Sequence, residues 1–417
     1  MKLLTLDNGL RIIIRKNDKL HSAILGVWVA SGSRYETEET NGISHFIEHM
    51  VFKSSKNRTA FEIAQGFDEI GAQTNAYTSK EYTFYYTHAL DYQIMQASDI
   101  LFDMIKNPKF DPKDIETECG VVIEEITMCE DDPSDVCYEL NEREIFSGTT
   151  MALDILGTRK SVSSFTHDTF VDYMKTNYVP ERMVVGISGN FDEEAILEKI
   201  NEYFGEDKNT SNPLENYELD FNSQINLQKG EFEQTHIQMC FKGVPIRHED
   251  LAALRIATFI LGTGTSSRLN QRIREQLGLV YSIDTWLGRY IGGGYISVNM
   301  SVSPKSEEKA ITESLKIIKD FPTDITDREV NVAKEKLISS LIMSREHPQS
   351  KFSSMGTSHL LFGSYIEDEE IISGIKEITT EMVKDVAVKY LDLEKMSFTA
   401  VGKVKNKKHY EKIIKSV

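Results

Sequence analysis

The apolar residues in the first quarter of the chain recur at strand spacing in some stretches and at helix spacing in others. LLTLDNGLRIIIRKN contains two short apolar runs around Asp7-Asn8-Gly9, which predicts a β-hairpin with a tight turn. SAILGVWVASG predicts a further strand, and from Gly42 the apolar residues follow a helical period. TAFEIAQGFDEIGA predicts a helix that ends at Gly71, and the Thr- and Tyr-rich TNAYTSKEYTFYYTHAL predicts a pair of strands.

Later stretches continue this alternation and indicate a division into modules. Helices are predicted over 92–107 and 114–129. Residues 206–229 are polar and lack periodicity, which indicates a linker. We therefore predict an N-terminal module over 1–205 and a C-terminal module over 230–417.

Two stretches resemble each other and occupy the same place in the two predicted modules. FVDYMKTNYVPERMVVGISGNF (170–191) matches MVKDVAVKYLDLEKMSFTAVGKV (382–404). In both, a glycine follows a methionine after six residues, Gly189 after Met183 and Gly402 after Met396. Weaker matches occur in the same order in both halves, so we predict an internal repeat of one strand-and-helix module.

Composition describes a globular protein and disfavours some partners. Of the 417 residues, 40% are apolar and 27% are charged, so an ordered fold is expected. The net charge of −18 disfavours nucleic acid and anionic membranes and suits a cationic substrate, although it serves solubility equally well. The four cysteines include no CxxC pair, and no stretch reaches the roughly 18 consecutive apolar residues of a membrane span. We expect a cytoplasmic protein with free thiols.

The stretch HFIEH, residues 45–49, is the main candidate for chemistry. His45 and His49 are four apart, so on a helix they share a face and can offer their imidazoles to one metal ion. Glu48 stands where a carboxylate can take a proton from water, which inverts the HExxH order. The alternative is an amphipathic helix with a surface histidine pair. The corresponding stretch of the second repeat, near 250–264, keeps the apolar pattern without histidine or glutamate, so the fold does not require these residues.

A third protein ligand has to come from elsewhere, and the helix predicted over 114–129 offers glutamates. Glu118 and Glu125 are seven apart and share a face, whereas Glu124 points roughly 100° away from that face. These positions and the histidine-free second repeat favour a metal site over a surface pair.

HFIEH, followed by a glutamate 76 positions after its second histidine, resembles the pitrilysin family of inverzincin metallopeptidases, including the β subunit of mitochondrial processing peptidase and its bacterial relatives. The resemblance covers essentially the whole chain. It implies an α+β fold of two similar modules, each a mostly antiparallel sheet packed with helices, related by an internal repeat. It also implies one Zn²⁺ per chain bound by His45, His49 and Glu125, with Glu48 as general base and Glu118 as an auxiliary catalytic glutamate.

Two further stretches resemble the substrate-binding segments of the family. TNAYTSKEYTFYY is similar to the strand that pairs with the peptide, which implies that Asn75 and Ala76 bind substrate backbone. SSRLNQRIREQLGLVYSI is similar to the second-module segment that brings an arginine and a tyrosine to the peptide. Arg272 takes the arginine position, whereas the tyrosine position is Leu279 here and Tyr281 is the nearest substitute.

The resemblance implies a zinc-dependent endopeptidase that cleaves extended, unfolded peptides or presequences. Zinc would activate water, and Glu48 would take the proton of that water and pass it to the leaving amine. In the family two halves close around the peptide, and this chain supplies one half, so a homodimer is expected. Two alternatives stay open: the active subunit of a heterodimer with a metal-less partner chain, and a non-proteolytic assembly subunit of the same fold.

Overall fold

The computed structural model of the protein describes residues 1–208 and 217–417; residues 209–216, inside the predicted linker, lie outside the described residues. The strands of the described ranges are Lys2–Thr5 (β1), Arg11–Lys16 (β2), Ser22–Val29 (β3), Gln73–Thr78 (β4), Thr83–Leu90 (β5), Met183–Gly189 (β6), Ile225–Lys229 (β7), Thr235–Lys242 (β8), Val280–Arg289 (β9), Gly294–Val302 (β10) and Ser397–Gly402 (β11). The α-helices are Ile43–Met50 (α1), Ala60–Glu69 (α2), Ile94–Lys106 (α3), Pro112–Asp131 (α4), Pro133–Ile145 (α5), Arg159–Val162 (α6), His167–Asn177 (α7), Glu193–Phe204 (α8), Leu251–Gly262 (α9), Glu307–Asp324 (α10), Asp327–Glu346 (α11), Pro348–Phe362 (α12), Asp368–Glu377 (α13), Thr380–Tyr390 (α14) and Lys407–Lys415 (α15).

The elements predicted from apolar periodicity are present. The hairpin around Asp7-Asn8-Gly9 is formed by β1 and β2, and Gly9 takes the left-handed conformation, with φ of 91°, that its turn requires. The Thr- and Tyr-rich stretch forms the antiparallel pair β4 and β5. The helix after Gly42 is α1, and the helix predicted to end at Gly71 is α2. The last part of the predicted linker is a strand and not a linker: Ile225–Lys229 forms β7, which pairs with β11.

The first sheet has six strands in the order β1-β2-β6-β3-β5-β4. Only β2 and β6 run parallel, and each other neighbouring pair is antiparallel. β4 is an edge strand, so one side of its backbone is not used in this sheet.

The second sheet repeats this topology in five strands, ordered β7-β11-β8-β10-β9. β7 and β11 run parallel and the other neighbours antiparallel, as in the corresponding run β2-β6-β3-β5-β4. Helix α9 follows β8 as α1 follows β3. Both sheets are mostly antiparallel and packed with helices, and the repeated topology confirms the predicted α+β fold with an internal repeat.

The glycine match that suggested the repeat has a backbone cause. Gly189 and Gly402 end the central strands β6 and β11, and their φ angles are 130° and 132°. A Cβ atom would lie 2.3 Å from the carbonyl oxygen of Ser22 at the first position and 2.7 Å from that of Gln234 at the second. Both positions therefore require glycine for conformation and for space.

The chain divides into two compact units that are not contiguous in sequence. The first unit takes in residues 344–365 and the second takes in 128–152, so each contains a segment from the other predicted module. Their full composition is Met1–Thr127, Leu153–Glu215 and Ser344–Tyr365 for the first unit, and Met128–Ala152, Asn216–Met343 and Ile366–Val417 for the second. The linear boundaries at 205 and 230 stay a prediction.

In the first unit, both faces of the sheet are covered. The main core lies on the face where α1 and α3 pack. On the other face, Phe352 and Met355 of α12 pack against Trp28 of β3, with 4.9 Å between the ring centroids of Trp28 and Phe352. Among the described residues, no helix combines the length and apolar character needed to cross a bilayer.

Candidate metal centre

The amphipathic pattern of α1 decides which of its side chains face the core. Ile43, Phe46, Ile47 and Met50 are fully or almost fully buried in the main core of the first unit. Phe46 packs edge-on against Phe170 with ring centroids 5.1 Å apart. This burial holds the helix in place, and His45, Glu48 and His49 lie on its less buried side.

A buried carboxylate caps the N-terminus of α1. The residue before the helix, Gly42, is left-handed and offers no side-chain cap. Glu36 takes this role, accepting hydrogen bonds from the backbone N–H groups of Gly42 at 2.7 Å and Ser44 at 2.9 Å and from Asn41 Nδ2 at 3.1 Å. Burial raises the pKa of the Glu36 carboxyl despite these donors. The cap fixes the start of the helix at Ile43, two residues before His45.

Three predicted ligands converge on one point. Nε2 of His45 lies 3.6 Å and Nε2 of His49 lies 3.5 Å from Oε2 of Glu125 on α4. One ligand atom from each of the three residues lies within 4.8 Å of the others, and no second such group occurs among residues 1–208 and 217–417. Four ligand atoms arranged tetrahedrally about 2.0–2.2 Å from zinc are separated from each other by roughly 3.3–3.6 Å. The spacing therefore fits a zinc ion.

The environments of Glu125 and His45 also favour a bound metal ion. Oε2 of Glu125 is buried and accepts no hydrogen bond from the described part of the chain. Burial, and secondarily the neighbouring His49, lower the pKa of His45 to about 3, so its imidazole is neutral and keeps a lone pair for a metal. A buried acceptor without a donor is costly unless something positive meets it, which a divalent cation does.

Glu118 and Lys53 lie behind His49. Oε1 of Glu118 lies 2.8 Å from Nδ1 of His49, and Oε2 of Glu118 lies 2.6 Å from Nζ of Lys53. A carboxylate on Nδ1 selects the tautomer that leaves Nε2 free to ligate. Glu118, predicted as an auxiliary catalytic glutamate, thus contacts the predicted ligand His49, and its role stays a prediction.

The predicted base lies beside the ligands. Oε2 of Glu48 accepts a hydrogen bond of 2.6 Å from Oγ1 of Thr78 on β4. Burial raises the pKa of the Glu48 carboxyl, and the hydrogen bond from Thr78 and the nearby His49 oppose that rise. A carboxylate with a raised pKa is a stronger base than an exposed one.

Two further predictions concern neighbouring positions. Glu124 is exposed and is not part of the ligand group, in agreement with its predicted direction. Asn75 and Ala76 lie on the edge strand β4, with Asn75 exposed and its side chain accepting a hydrogen bond of 2.9 Å from the N–H of Ala76.

The other predicted substrate residues belong to the second unit. Arg272 lies in a π-helix over Asn270–Gln276 and donates a hydrogen bond of 3.1 Å to Gln276. Tyr281 is 76% exposed on the edge strand β9. Both side chains are accessible, and their roles stay predictions.

Sequence reasoning missed three residues that contact helix α1 or the side chains around the candidate centre. Lys53 is four positions after His49, a spacing that signals proximity only if the helical turn continues past Met50. Thr78 lies in the TNAYTS stretch, and no local sequence pattern indicates that it contacts Glu48. Glu36 precedes the helix by seven residues, too far for a usual capping motif.

Comparison with known proteins gives matches over most of the chain. A family model described as Insulinase (Peptidase family M16) matches residues 11–159, and one described as Peptidase M16 inactive domain matches residues 164–337. The chain is 36% identical over 392 residues to the uncharacterized zinc protease YmxG of Bacillus subtilis (strain 168), covering 93% of this chain and 95% of that protein.

Two solved structures share the fold. A peptidase M16 inactive domain from Pseudomonas fluorescens matches with a TM-score of 0.89 over 97% of this chain and 98% of that chain, at 18% identity. A chain of Complex III2 from Candida albicans matches with a TM-score of 0.84 over 99% of both chains, also at 18% identity. The family models match in order and the Bacillus subtilis relative is matched over almost its full length. This chain therefore belongs to peptidase family M16, the pitrilysin family of zinc metallopeptidases.

Proposed function

We propose that this chain is a zinc-dependent endopeptidase that hydrolyses extended, unfolded peptides or presequences. The observation that carries the proposal is the convergence of the His45 and His49 Nε2 atoms on Glu125 Oε2, with Glu48 next to His49 in the helix. Membership of family M16 and the likeness to a protein named zinc protease support it.

His45, His49 and Glu125 would hold one zinc ion per chain. The ion supplies a Lewis acid, which lowers the pKa of water and polarises a peptide carbonyl. Glu118 keeps the proton of His49 on Nδ1, so that the Nε2 lone pair stays directed at the site.

Glu48 carries the proton through the reaction. As water attacks the peptide carbonyl, one O–H bond of the water breaks and the proton moves to the Glu48 carboxylate. When the C–N bond breaks, the same proton passes to the nitrogen that leaves as an amine. The raised pKa of Glu48 makes its carboxylate a better acceptor for this proton.

The edge strand β4 is the proposed binding place for the peptide backbone. An extended peptide can add to an unpaired strand edge through main-chain hydrogen bonds, with Asn75 and Ala76 as the contacts. This mode selects chains without secondary structure of their own. Arg272 and Tyr281 are proposed as further substrate-binding residues.

A homodimer is the proposed assembly, since the family resemblance implies that a second half is needed. A heterodimer with a metal-less partner is the alternative. An assembly role without proteolysis is a third possibility because a Complex III2 chain shares the fold, but that similarity at 18% identity shows the fold alone. The grouping of His45, His49 and Glu125 beside Glu48 supports the peptidase. The expected cytoplasmic location stays a prediction.

A single preparation tests the proposal. Elemental analysis of the purified chain should give one zinc per chain, and a fluorogenic unstructured peptide should be cleaved. Removal of zinc with a chelator should abolish cleavage and added zinc should restore it. Size-exclusion chromatography should show a dimer. A zinc-loaded homodimer that cleaves no member of an unstructured peptide library would contradict the proposal and favour the assembly role.

A further inference from the structure

Thr78 connects the edge strand β4 to the proposed base. Its Oγ1 donates a hydrogen bond of 2.6 Å to Oε2 of Glu48, thirty positions earlier in the chain. The hydroxyl is the donor in this bond. Hydrogen bonds to a carboxylate are among the stronger ones in proteins.

The neighbouring hydroxyl leaves this bond undisturbed. Oγ1 of Thr83 lies 3.4 Å from Oγ1 of Thr78 and donates its proton to the carbonyl oxygen of Ser31 at 2.8 Å. Each hydroxyl has one proton, and each proton has its own acceptor. The Thr78 proton is therefore directed to Glu48.

The alternation of β4 places Thr78 on the side of the sheet where α1 packs. Thr74, Ala76 and Thr78 are partly or fully buried, whereas Asn75 and Tyr77 between them are exposed. Helix α1, which carries Glu48, contacts β4. Because the backbone of Thr78 belongs to the strand proposed to pair with the peptide, a peptide held along β4 also holds the donor to Glu48.

We propose that Thr78 is a positioning residue for Glu48. Its hydroxyl holds the carboxylate in the orientation that accepts the proton of water, and it couples peptide pairing along β4 to the alignment of the base. Thr78 acts through Glu48 and does not touch the reacting atoms. This inference rests on the proposed peptidase function.

Replacing the hydroxyl with a methyl group isolates this role. Thr78→Val keeps the shape of the side chain and its preference for strands but removes the donor. We expect kcat to fall about 10- to 100-fold, since a hydrogen bond to a charged group is lost where the proton moves. KM should change by less than about twofold, because the backbone of β4 still pairs with the peptide. Thr78→Ser, which keeps the hydroxyl, should recover most of the loss in kcat.

Thr74→Val is the matched control. Thr74 lies on the same strand and the same side as Thr78, and its hydroxyl donates to Oγ1 of Thr87 at 2.9 Å. The chemical change is identical and involves no contact with Glu48, so kcat should stay within about twofold of the wild type. Zinc content and melting temperature of the three variants, measured in parallel, should match the wild type within error.

Crystal structures of the wild type and Thr78→Val supply a test that does not depend on enzymatic activity. We expect the Glu48 carboxylate to turn away from its present position in the variant. An inactive zinc-loaded wild type would refute the peptidase proposal, and the crystal structures would still decide the role of Thr78. The inference is overturned if Glu48 keeps its orientation in the variant, if Thr78→Val and Thr74→Val lose kcat equally, or if Thr78→Ser is as impaired as Thr78→Val.

Discussion

The Nδ1 atom of His49 lies 2.8 Å from Oε1 of Glu118, while Nε2 of the same ring faces Glu125 at 3.5 Å. One imidazole therefore joins two carboxylates of α4 that are two helical turns apart. The Lys53 ammonium lies 2.6 Å from Oε2 of Glu118, the carboxylate oxygen that does not contact Nδ1.

This relationship predicts the effect of Glu118→Gln. The amide accepts from Nδ1 more weakly, so His49 becomes a poorer ligand, and we expect zinc affinity to fall about 10- to 100-fold. Competition with a chelator of known affinity measures it. Glu116→Gln, an exposed change on the same helix, should leave affinity unchanged. Equal affinities for the two variants would show that Glu118 does not orient the ligand.

The ligand assignment predicts a contrast between adjacent glutamates. His49→Ala and Glu125→Gln should each leave the purified protein largely without zinc, because two remaining ligands do not hold an ion that exchanges with buffer. Glu124→Gln should keep full occupancy, since this side chain is exposed outside the ligand group. Elemental analysis after dialysis decides the matter, and loss of zinc in Glu124→Gln with retention in Glu125→Gln would reverse the assignment.

Glu48→Gln separates metal binding from catalysis. The amide keeps the size of the side chain and an acceptor for Thr78 but cannot take a proton, and loss of a general base costs about 100- to 10,000-fold in rate. We expect zinc content and melting temperature to stay at wild-type values while peptide hydrolysis falls by that factor. Steady-state assays with the fluorogenic peptide provide the test, and turnover near the wild-type rate would remove Glu48 from the mechanism.

Glu36→Ala tests the cap of the metal-binding helix. The substitution removes the acceptor of the buried N–H groups of Gly42 and Ser44 and one of the two acceptors of the Asn41 amide, and should lower the free energy of unfolding by about 2–4 kcal/mol. Glu38→Ala, an exposed change two positions away, serves as the control. Urea denaturation of both variants measures the difference, and similar stabilities would mean that water replaces the carboxylate.

The stability that Glu329 contributes in the second unit is expected to depend on pH. Burial alone would raise the pKa of Glu329, but hydrogen bonds from the Arg268 guanidinium and from Thr326 outweigh it and lower the pKa to about 2. A carboxyl with a lowered pKa in the folded state contributes stability that is present above its ordinary value and lost as the pH falls towards 2.

Glu329→Gln should therefore cost about 1 kcal/mol near pH 7 and almost nothing near pH 2. Denaturation of both proteins across that range measures the difference. Glu335→Gln, exposed on the same helix, should show no such trend. A difference that is constant with pH would assign the effect of Glu329 to packing and not to charge.

Local patterns in the sequence were sufficient to predict much of the fold and part of the candidate site. The i, i+4 spacing of His45 and His49 and the apolar residues between them already place both imidazoles on the open side of one helix, because helical geometry is set by neighbouring residues. The spacing of Gly189 and Gly402 likewise reported a repeat, since each glycine meets a steric requirement of its own strand. Assigning Glu125 as third ligand needed the family resemblance in addition to periodicity.

Only the tertiary structure decided which distant groups support the site. The contacts from Thr78 to Glu48, from Glu118 to His49 and from Glu36 to the start of α1 join separate elements. The tertiary structure also decided that residues 128–152 belong to the second compact unit and residues 344–365 to the first. Periodicity records which side of an element is apolar, but hydrogen bonds between elements depend on how those sides pack, and that is determined by the whole chain at once.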